Sequence, residues 1–233
     1  MGIELKVKLI FIIATSFVCL VGHSQEPPSE LWFSASVPVN FGKKANWQWH
    51  NDASYRTNGM SALPHQYLYR TGLRYSFNKH LNIAGGAALF FTRVSYNRGD
   101  HEFGQENRLW QELVYQTNLS STILLQNRFR LEERFFEAVG NKVAYTAARF
   151  RFRTSIIQKL NKNWSAQIAD EYMQQAANGR WQLNQNRFMV SVGRSLPGQV
   201  QLLAGYMWLY RTVFSQHIFT ISFQKKIGAN AYN

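Results

Sequence analysis

From Leu31 onward, apolar and polar side chains alternate with a period of two residues, and no window carries the i, i+3, i+4 apolar spacing of a long helix. Leu31, Phe33, Ala35, Val37, Val39 and Phe41 share one face of an extended chain, while Ser34, Ser36 and Asn40 share the other. Trp47, Trp49, Ala53 and Tyr55 oppose Gln48, His50, Asp52, Ser54 and Arg56 in the same way. Further on, Tyr67, Tyr69, Leu73, Tyr75 and Phe77 stand against Arg70, Gly72, Arg74 and Ser76, and Ala148, Phe150, Phe152 and Ile156 against Arg149, Arg151, Arg153 and Ser155. The pattern still holds at Phe219, Ile221 and Phe223, which oppose Thr220, Ser222 and Gln224. Successive side chains of a strand point to opposite faces, so the chain reads as all-β, every strand greasy on one side and polar on the other.

Turn signals cut the chain into roughly eleven segments, 30–41, 46–57, 65–78, 81–96, 105–118, 122–137, 144–160, 164–176, 181–196, 200–213 and 216–227. All exceed the usual globular strand of about 5 or 6 residues and cover the 9 to 11 or so that a tilted membrane strand needs. Their connections alternate in kind. Tight ones fall at Gly42-Lys43-Lys44, Asn78-Lys79-His80, Asn118 to Ser121, Asn161-Lys162-Asn163 and Pro197-Gly198. Longer ones fall at Asn58 to Pro64, Asn97 to Gly104, Ala138 to Asn141 and Asn178-Gly179-Arg180. Short turns on one side and long loops on the other are the asymmetry of outer-membrane barrels, whose short turns are periplasmic. The expectation is an antiparallel up-and-down transmembrane β-barrel of about 10 to 12 strands with both termini at the short-turn side. Eleven sits badly with the even counts of bacterial barrels, and 30–41 is the weakest of the segments. Segments eight and nine slip phase, since Asp170 and Glu171 are adjacent, and this predicts a bulge. Tyr75 to Leu81 and Ile157 to Trp164 form a weak quasi-repeat, each ending a strand with Asn-Lys-His or Asn-Lys-Asn, which reads as reused turn chemistry.

The first residues read as a targeting segment: Lys6 and Lys8, an apolar run from Leu9 to Val21, then small residues at Gly22-His23-Ser24. The run is short for a helix that needs about 20 residues to cross a bilayer. Residues 1–24 are therefore expected to be a cleaved signal peptide and 25–233 one barrel domain, destined for the outer membrane of a Gram-negative cell. A lipoprotein would use Cys19, but Val18 stands where such signals want a small residue. Cys19 is the only cysteine and leaves with the signal, which excludes a disulfide framework and a cysteine metal site.

The net charge of +13 raises the question of nucleic acid. Its distribution argues against it: the lysines beyond the signal fall in or beside turns, most arginines fall inside the alternating segments, and there is no basic helix, zinc finger or phosphate-cradling loop. Alternation alone does not say which face is inside, since a lipocalin-like soluble barrel alternates too. Composition does. The polar face holds Arg56, Arg70, Arg74, Arg108, Arg128, Arg130, Arg149, Arg151, Arg153, Arg187 and Arg211 with Glu112, Glu132 and Glu171, and almost no lysine. A crowded lumen suits arginine, whose planar fork holds several oxygens at once, so these residues are expected to line the lumen. The apolar face carries aromatics near segment ends, Trp47, Tyr67, Phe77, Tyr96, Tyr115, Trp164 and Tyr210, as interfacial girdles do.

Several stretches carry a family likeness: Glu30-Leu31-Trp32, Tyr67 to Tyr75, Glu106 to Glu112, Arg128 to Arg134 and Ala148 to Arg153. In these alternations of arginine and aromatic residues the chain resembles the outer-membrane barrels grouped as Domain of Unknown Function 2490, over the whole of its mature length. The resemblance implies an outer-membrane barrel without an established activity and supplies no catalytic residues. The final Ala231-Tyr232-Asn233 departs from the terminal aromatic of many such barrels, although Phe219, Ile221 and Phe223 supply a similar insertion signal just upstream.

For chemistry, two readings of the arginine-rich lumen stand side by side: rings of arginine favour anions in a pore, or arginines and glutamates together fill the barrel as a plug. A lipid- or envelope-modifying membrane enzyme would draw on Ser215 with His217 or His65 with Ser61, neither in a nucleophile motif. His50 with Asp52 reads first as a lumen hydrogen bond, and Asp100, His101 and Glu102 as a solvated loop rather than a metal cluster. The reading is thus a non-enzymatic barrel, a small channel or a surface scaffold. No catalytic, cofactor or metal residues are assigned. The expected partners are membrane lipid, the barrel-insertion machinery and a small anionic solute, with a soluble periplasmic lipocalin-like binder as a further alternative.

Overall fold

Strands joined by short connections pair with their neighbours in sequence, and the fold of this chain is that rule carried round a full circle. The computed structural model describes residues 27–42, 46–95, 101–177 and 179–228. The expected signal peptide, Lys43 and Lys44, Tyr96, Asp100 and the terminal Ala231-Tyr232-Asn233 lie outside the described residues. Twelve strands form one sheet: β1 (Glu30–Ser36), β2 (Val39–Phe41), β3 (Trp47–Thr57), β4 (Pro64–Ser76), β5 (Leu81–Arg93), β6 (Phe103–Asn118), β7 (Ile123–Phe136), β8 (Tyr145–Lys159), β9 (Trp164–Ala177), β10 (Arg180–Leu196), β11 (Val200–Tyr210) and β12 (Ser215–Lys225). β3 to β12 run antiparallel in chain order, and β1 closes the barrel by pairing with β3 on one side and β12 on the other.

Eleven strands therefore make the barrel, and β2 is a short addition that pairs with β3 just beyond β1, Val39 opposite Trp49. The expected segment 30–41 is broken in two at Pro38, which has no N–H to give to a ladder. Val37 still donates to Asn51 O at 2.8 Å, and Pro38 O accepts from Ile227 N at 2.9 Å, so the chain stays against both neighbours across the break.

The expectation of an all-antiparallel barrel needs correcting at one seam. In a meander each strand reverses the last, so an odd count brings the first and last strands together parallel. β1 and β12 do run parallel, from Glu30 opposite Ile218 to Ser36 opposite Gln224. The same parity overturns the expectation that both ends lie on one side: β1 begins at the rim that carries the longer loops, and β12 ends at the rim of short turns. Two further corrections follow from register. β9 runs unbroken past Asp170 and Glu171 against both neighbours, one side chain outward and the next inward, and the bulge sits instead in β10, between Leu183 and Gln185. The connection at Asn178-Gly179-Arg180 is not a long one, since only two residues separate β9 from β10, with Gly179 at a φ of +75°.

The turn chemistry repeats as the sequence implies. Asn78 Oδ1 accepts from the backbone of His80 and Leu81 at 2.8 and 2.9 Å, and Asn161 Oδ1 accepts from Asn163 and Trp164 at 2.9 and 3.0 Å.

The two faces of the sheet reverse the usual arrangement of a water-soluble protein. Leu109, Leu131 and Ile221 on the outside are 52%, 54% and 52% exposed, whereas Glu112, Glu132 and Glu171 inside are 6%, 4% and 2% exposed. Trp47, Tyr67, Phe77, Tyr115, Trp164 and Tyr210 are exposed on the outside as well. The interior also has an apolar side. Met207, Leu209 and Ile218 cluster there with Trp32 and Met189, and Ala88, Phe90 and Trp110 form a second group.

Candidate functional site

The interior of the barrel divides into two chambers. The upper one, toward the longer loops, has a volume of about 840 Å³, and the lower one about 490 Å³. Eight residues border both: Ser34, Asp52, Arg70, Trp110, Arg128, Arg130, Arg153 and Ser222. They come from β1, β3, β4, β6, β7, β8 and β12, so the layer between the chambers is fed from around the barrel wall.

Cross-strand register builds this layer. Inward positions on adjacent strands face each other, and such opposed pairs are the unit in which a sheet's side chains interact. Glu112 stands opposite Arg130, Glu132 opposite Arg149, Glu171 opposite both Arg153 and Arg187, and Asp52 opposite Arg70. The same register also sets like charges face to face, Arg108 against Arg134, Arg128 against Arg153 and Arg130 against Arg151. Such pairs repel unless an anion bridges them. Glu106 bridges the first, accepting from Arg108 Nη2 at 2.8 Å and from Arg134 Nε at 2.6 Å. Glu132 bridges the third, accepting from Arg151 Nη1 at 2.7 Å with Arg130 Nη1 at 3.8 Å. In the second pair only Arg128 is hydrogen-bonded to a carboxylate, that of Glu171.

Glu132 is the most shared anion. It accepts from Arg149 Nε at 2.9 Å as well as from Arg151, and it lies 3.5 Å from Arg108 Nη1. Glu171 takes two bonds of 2.9 Å from Arg151 Nη2 besides that from Arg128, with Arg187 Nη1 3.8 Å away. Glu112 is held by Arg130 Nε at 2.9 Å and by Arg74 Nη2 at 3.4 Å. Eight arginines thus share the carboxylates of Glu106, Glu112, Glu132 and Glu171. Forked guanidinium groups suit this use, because one plane of N–H donors serves two acceptors at once.

Two tryptophans extend the network across the bore. Trp110 of β6 lies over Gly72 of β4, where an added Cβ would collide with the indole. From there it meets the His50 ring edge-on at 6.5 Å and sits under Arg130 and Arg70, whose Cζ atoms are 5.0 and 5.8 Å from the ring. Trp32 of β1 donates its indole N–H to Glu30 at 2.7 Å and carries Arg56 of β3 at 3.7 Å and Arg187 of β10 at 5.3 Å.

Of the fourteen residues expected in the lumen, Arg56, Arg70, Arg108, Arg128, Arg130, Glu132, Arg149, Arg151, Arg153, Glu171, Arg187 and Arg211 line the upper chamber, and Arg74 and Glu112 line the lower. The expectation omitted Glu106, Arg134, Trp32 and Trp110. Each lies two residues from a member of the set or of its face, and that spacing is the signal that finds them.

The other candidates separate. His50 Nε2 and Asp52 Oδ1 are 2.8 Å apart, and Asp52 also accepts from Arg70 Nε at 2.7 Å, so the pair belongs to the ionic layer. His217 faces outward with its ring nitrogen 2.6 Å from Tyr206 Oη. Ser61 gives its hydroxyl hydrogen to Asn58 O in a loop, whereas His65 lines the upper chamber. Among the described residues, no three of His, Cys, Asp or Glu converge as metal ligands.

No curated protein matches the chain. The family model described as "Protein of unknown function (DUF2490)" matches residues 29–218, from the start of the first barrel strand to the middle of the last, and so takes in nearly every member of the ionic layer. The chain belongs to the DUF2490 family.

Proposed function

We propose that this chain spans the outer membrane of a Gram-negative cell as a barrel plugged by its own side chains, and that it serves there as a structural or surface scaffold rather than as an open channel. The observation that carries this reading is the inversion of its faces: leucines, isoleucines and aromatics outside, carboxylates and guanidinium groups shut inside. Exposed apolar area on this scale is tolerable only against another apolar phase, and a closed barrel leaves no unpaired strand edge for hydrocarbon to meet. Outward aromatics toward both rims, Tyr67 and Tyr210 at one and Trp47 and Trp164 at the other, fit the two interfaces of such a membrane. A soluble lipocalin-like binder needs the opposite arrangement.

The plug rests on the layer between the chambers. About eight strands already give an interior that side chains can fill, and eleven give a wider one, which only long residues reach across. Arginine and tryptophan are those residues here. Because Glu106, Glu112, Glu132 and Glu171 are each tied to two or more guanidinium groups, the layer is a cross-linked set rather than a ring of independent arms.

Fractionation of expressing cells, heat-modifiable migration on gels and planar-bilayer recording test the proposal together. The expected result is an outer-membrane protein whose folded form migrates differently from its boiled form and whose bilayers stay silent. Replacing Arg128, Arg130 and Arg153 together by alanine should then open a conductance. A steady conductance in the unaltered protein would overturn the plug, and recovery in the soluble periplasmic fraction would overturn the membrane assignment.

A further inference from the structure

The plug uses its carboxylates unevenly, and the surplus of cation is concentrated in the upper chamber. Among the described residues, thirteen basic side chains line that chamber against five carboxylates. Most of the arginines are satisfied as described above. In Arg56, Arg128, Arg153 and Arg187 the Nε–H is buried and, among the described residues, no acceptor reaches it; Arg128 still gives another N–H to Glu171, whereas Arg56, Arg153 and Arg187 give none to a carboxylate. Arg56 gives one N–H to Gln66 Oε1 at 2.6 Å and otherwise rests on Trp32. Arg187 shares that indole and comes no nearer than 3.8 Å to Glu171.

A buried N–H without an acceptor costs about 1–3 kcal/mol, more when the group is charged. Four such groups lining one cavity, three of them on arginines that make no hydrogen bond to a carboxylate, are therefore a site waiting for oxygen. Low-dielectric walls around an excess of one sign also focus the field and raise the local concentration of counter-ions. A single chloride offers one centre. A ligand with several oxygens on two linked centres meets separate guanidinium forks at once, the geometry for which arginine is suited. A chamber of 840 Å³ falls within the range of small-molecule sites, about 300–1,000 Å³.

We infer that the upper chamber is a binding site for a small solute bearing two or more phosphate-type oxyanion groups, held by Arg56 and Arg187 on either arm of the Trp32 shelf and by Arg153 in the floor. The inference rests on the plug reading, because a floor is what makes the chamber a cup. It does not require transport.

The experiment is titration calorimetry of the full chain in zwitterionic detergent, with pyrophosphate as the probe at constant ionic strength set by sodium chloride. One saturable site is expected, with pyrophosphate binding at least tenfold more tightly than sulfate. Arg56→Gln combined with Arg187→Gln should weaken pyrophosphate at least tenfold. Arg194→Gln, which removes an outward charge stacked on Trp164, should leave it unchanged. Should the double variant fail to show heat-modifiable migration, Arg56→Lys replaces it, keeping the charge while losing the fork, with a smaller but measurable loss expected. Absence of saturable binding, or equal affinity in the unaltered protein and the folded variants, overturns the site. Bilayer recording of the same preparation keeps the two proposals apart. A conductance would overturn the plug and the cup built on it, its block by pyrophosphate then showing the same arginines acting in a pore, whereas silence without binding would remove the site and keep the plug.

Discussion

The wall made by β6 to β9 and the wall made by β1, β11 and β12 face each other across one bore and are built on different principles. The first is long, its strands fourteen to sixteen residues each, and its inner face holds every carboxylate that the arginines share. The second includes the seven-residue β1, closes in parallel, and turns Ser34, Gly205, Thr220 and Ser222 inward beside Leu203, Met207, Leu209 and Ile218. Small and apolar residues on one side leave room that long charged ones fill from the other. What the contrast teaches is that the plug belongs to neither wall. It is the volume of arginine set against the absence of volume at the seam, and the side bearing the charge network should dominate stability.

The sharpest way to break that comparison is to remove the most shared anion. Glu132→Ala leaves Arg149 without its acceptor, takes from Arg151 one of its two carboxylates, and returns Arg108, Arg130 and Arg151 to mutual repulsion. Breaking a buried charge pair from one side costs about 3–5 kcal/mol, and a loss of that size is expected in the urea midpoint of the protein folded in lipid vesicles. A loss below about 1 kcal/mol would mean that water reaches the layer freely, and the plug would have to be given up. The next largest effect lies one residue away on the opposite face. Leu131→Arg places the commonest lumen residue outside, and in a bilayer it should cost about 2–4 kcal/mol. If the same change is neutral in vesicles, the outer face is not lipid-facing, and the distinction between inside and outside loses its meaning.

Much of this was legible before any coordinates. Period two marks strands without ambiguity, and Asn78 and Asn161 marked their ends because the side chain that makes the turn is written at the turn. That the barrel closes in parallel was not legible, since local patterns report only neighbours in sequence and the β1–β12 pairing joins Glu30 to Ile218. Adjacent Asp170 and Glu171 signal a phase slip in segments eight and nine, but the bulge itself sits in the second of them, where Leu183, Asn184, Gln185 and Asn186 offer too little contrast for its position to register. Trp32 and Trp110 show a different limit. Residue type assigns them to the greasy face, but their phase places them with Ser34 and Glu112, and phase prevails because the backbone has only two faces to offer.

Between the two walls stands the glycine hollow that admits Trp110. Gly72→Ala would set a methyl group against the indole and the Gly85 carbonyl, and overpacking of this kind costs about 1–3 kcal/mol. The expected result is a lower urea midpoint together with a blue- or red-shifted tryptophan emission relative to the unaltered protein, since the ring has to leave the hollow and its neighbours Arg70 and Arg130. An unchanged spectrum would mean that Trp110 does not cross the bore there.

The smallest effect is expected at the seam itself. Ser34 and Ser222 share a hydrogen bond of 2.6 Å across the parallel pairing, and the backbone around it is tied independently, through Leu31 N to Thr57 Oγ1 at 2.9 Å and Ile227 N to Pro38 O at 2.9 Å. Removing one neutral hydrogen bond at a partly buried site costs about 1 kcal/mol, and removing both partners together costs little more, because no unsatisfied group is left behind. Ser34→Ala, Ser222→Ala and the double variant should therefore give a coupling energy near 1 kcal/mol in a double-mutant cycle on the urea midpoint. A coupling as large as the loss at Glu132 would reverse the ranking of the walls: the closure, held by few residues and running against the antiparallel habit of the rest, would then be where the barrel's stability resides.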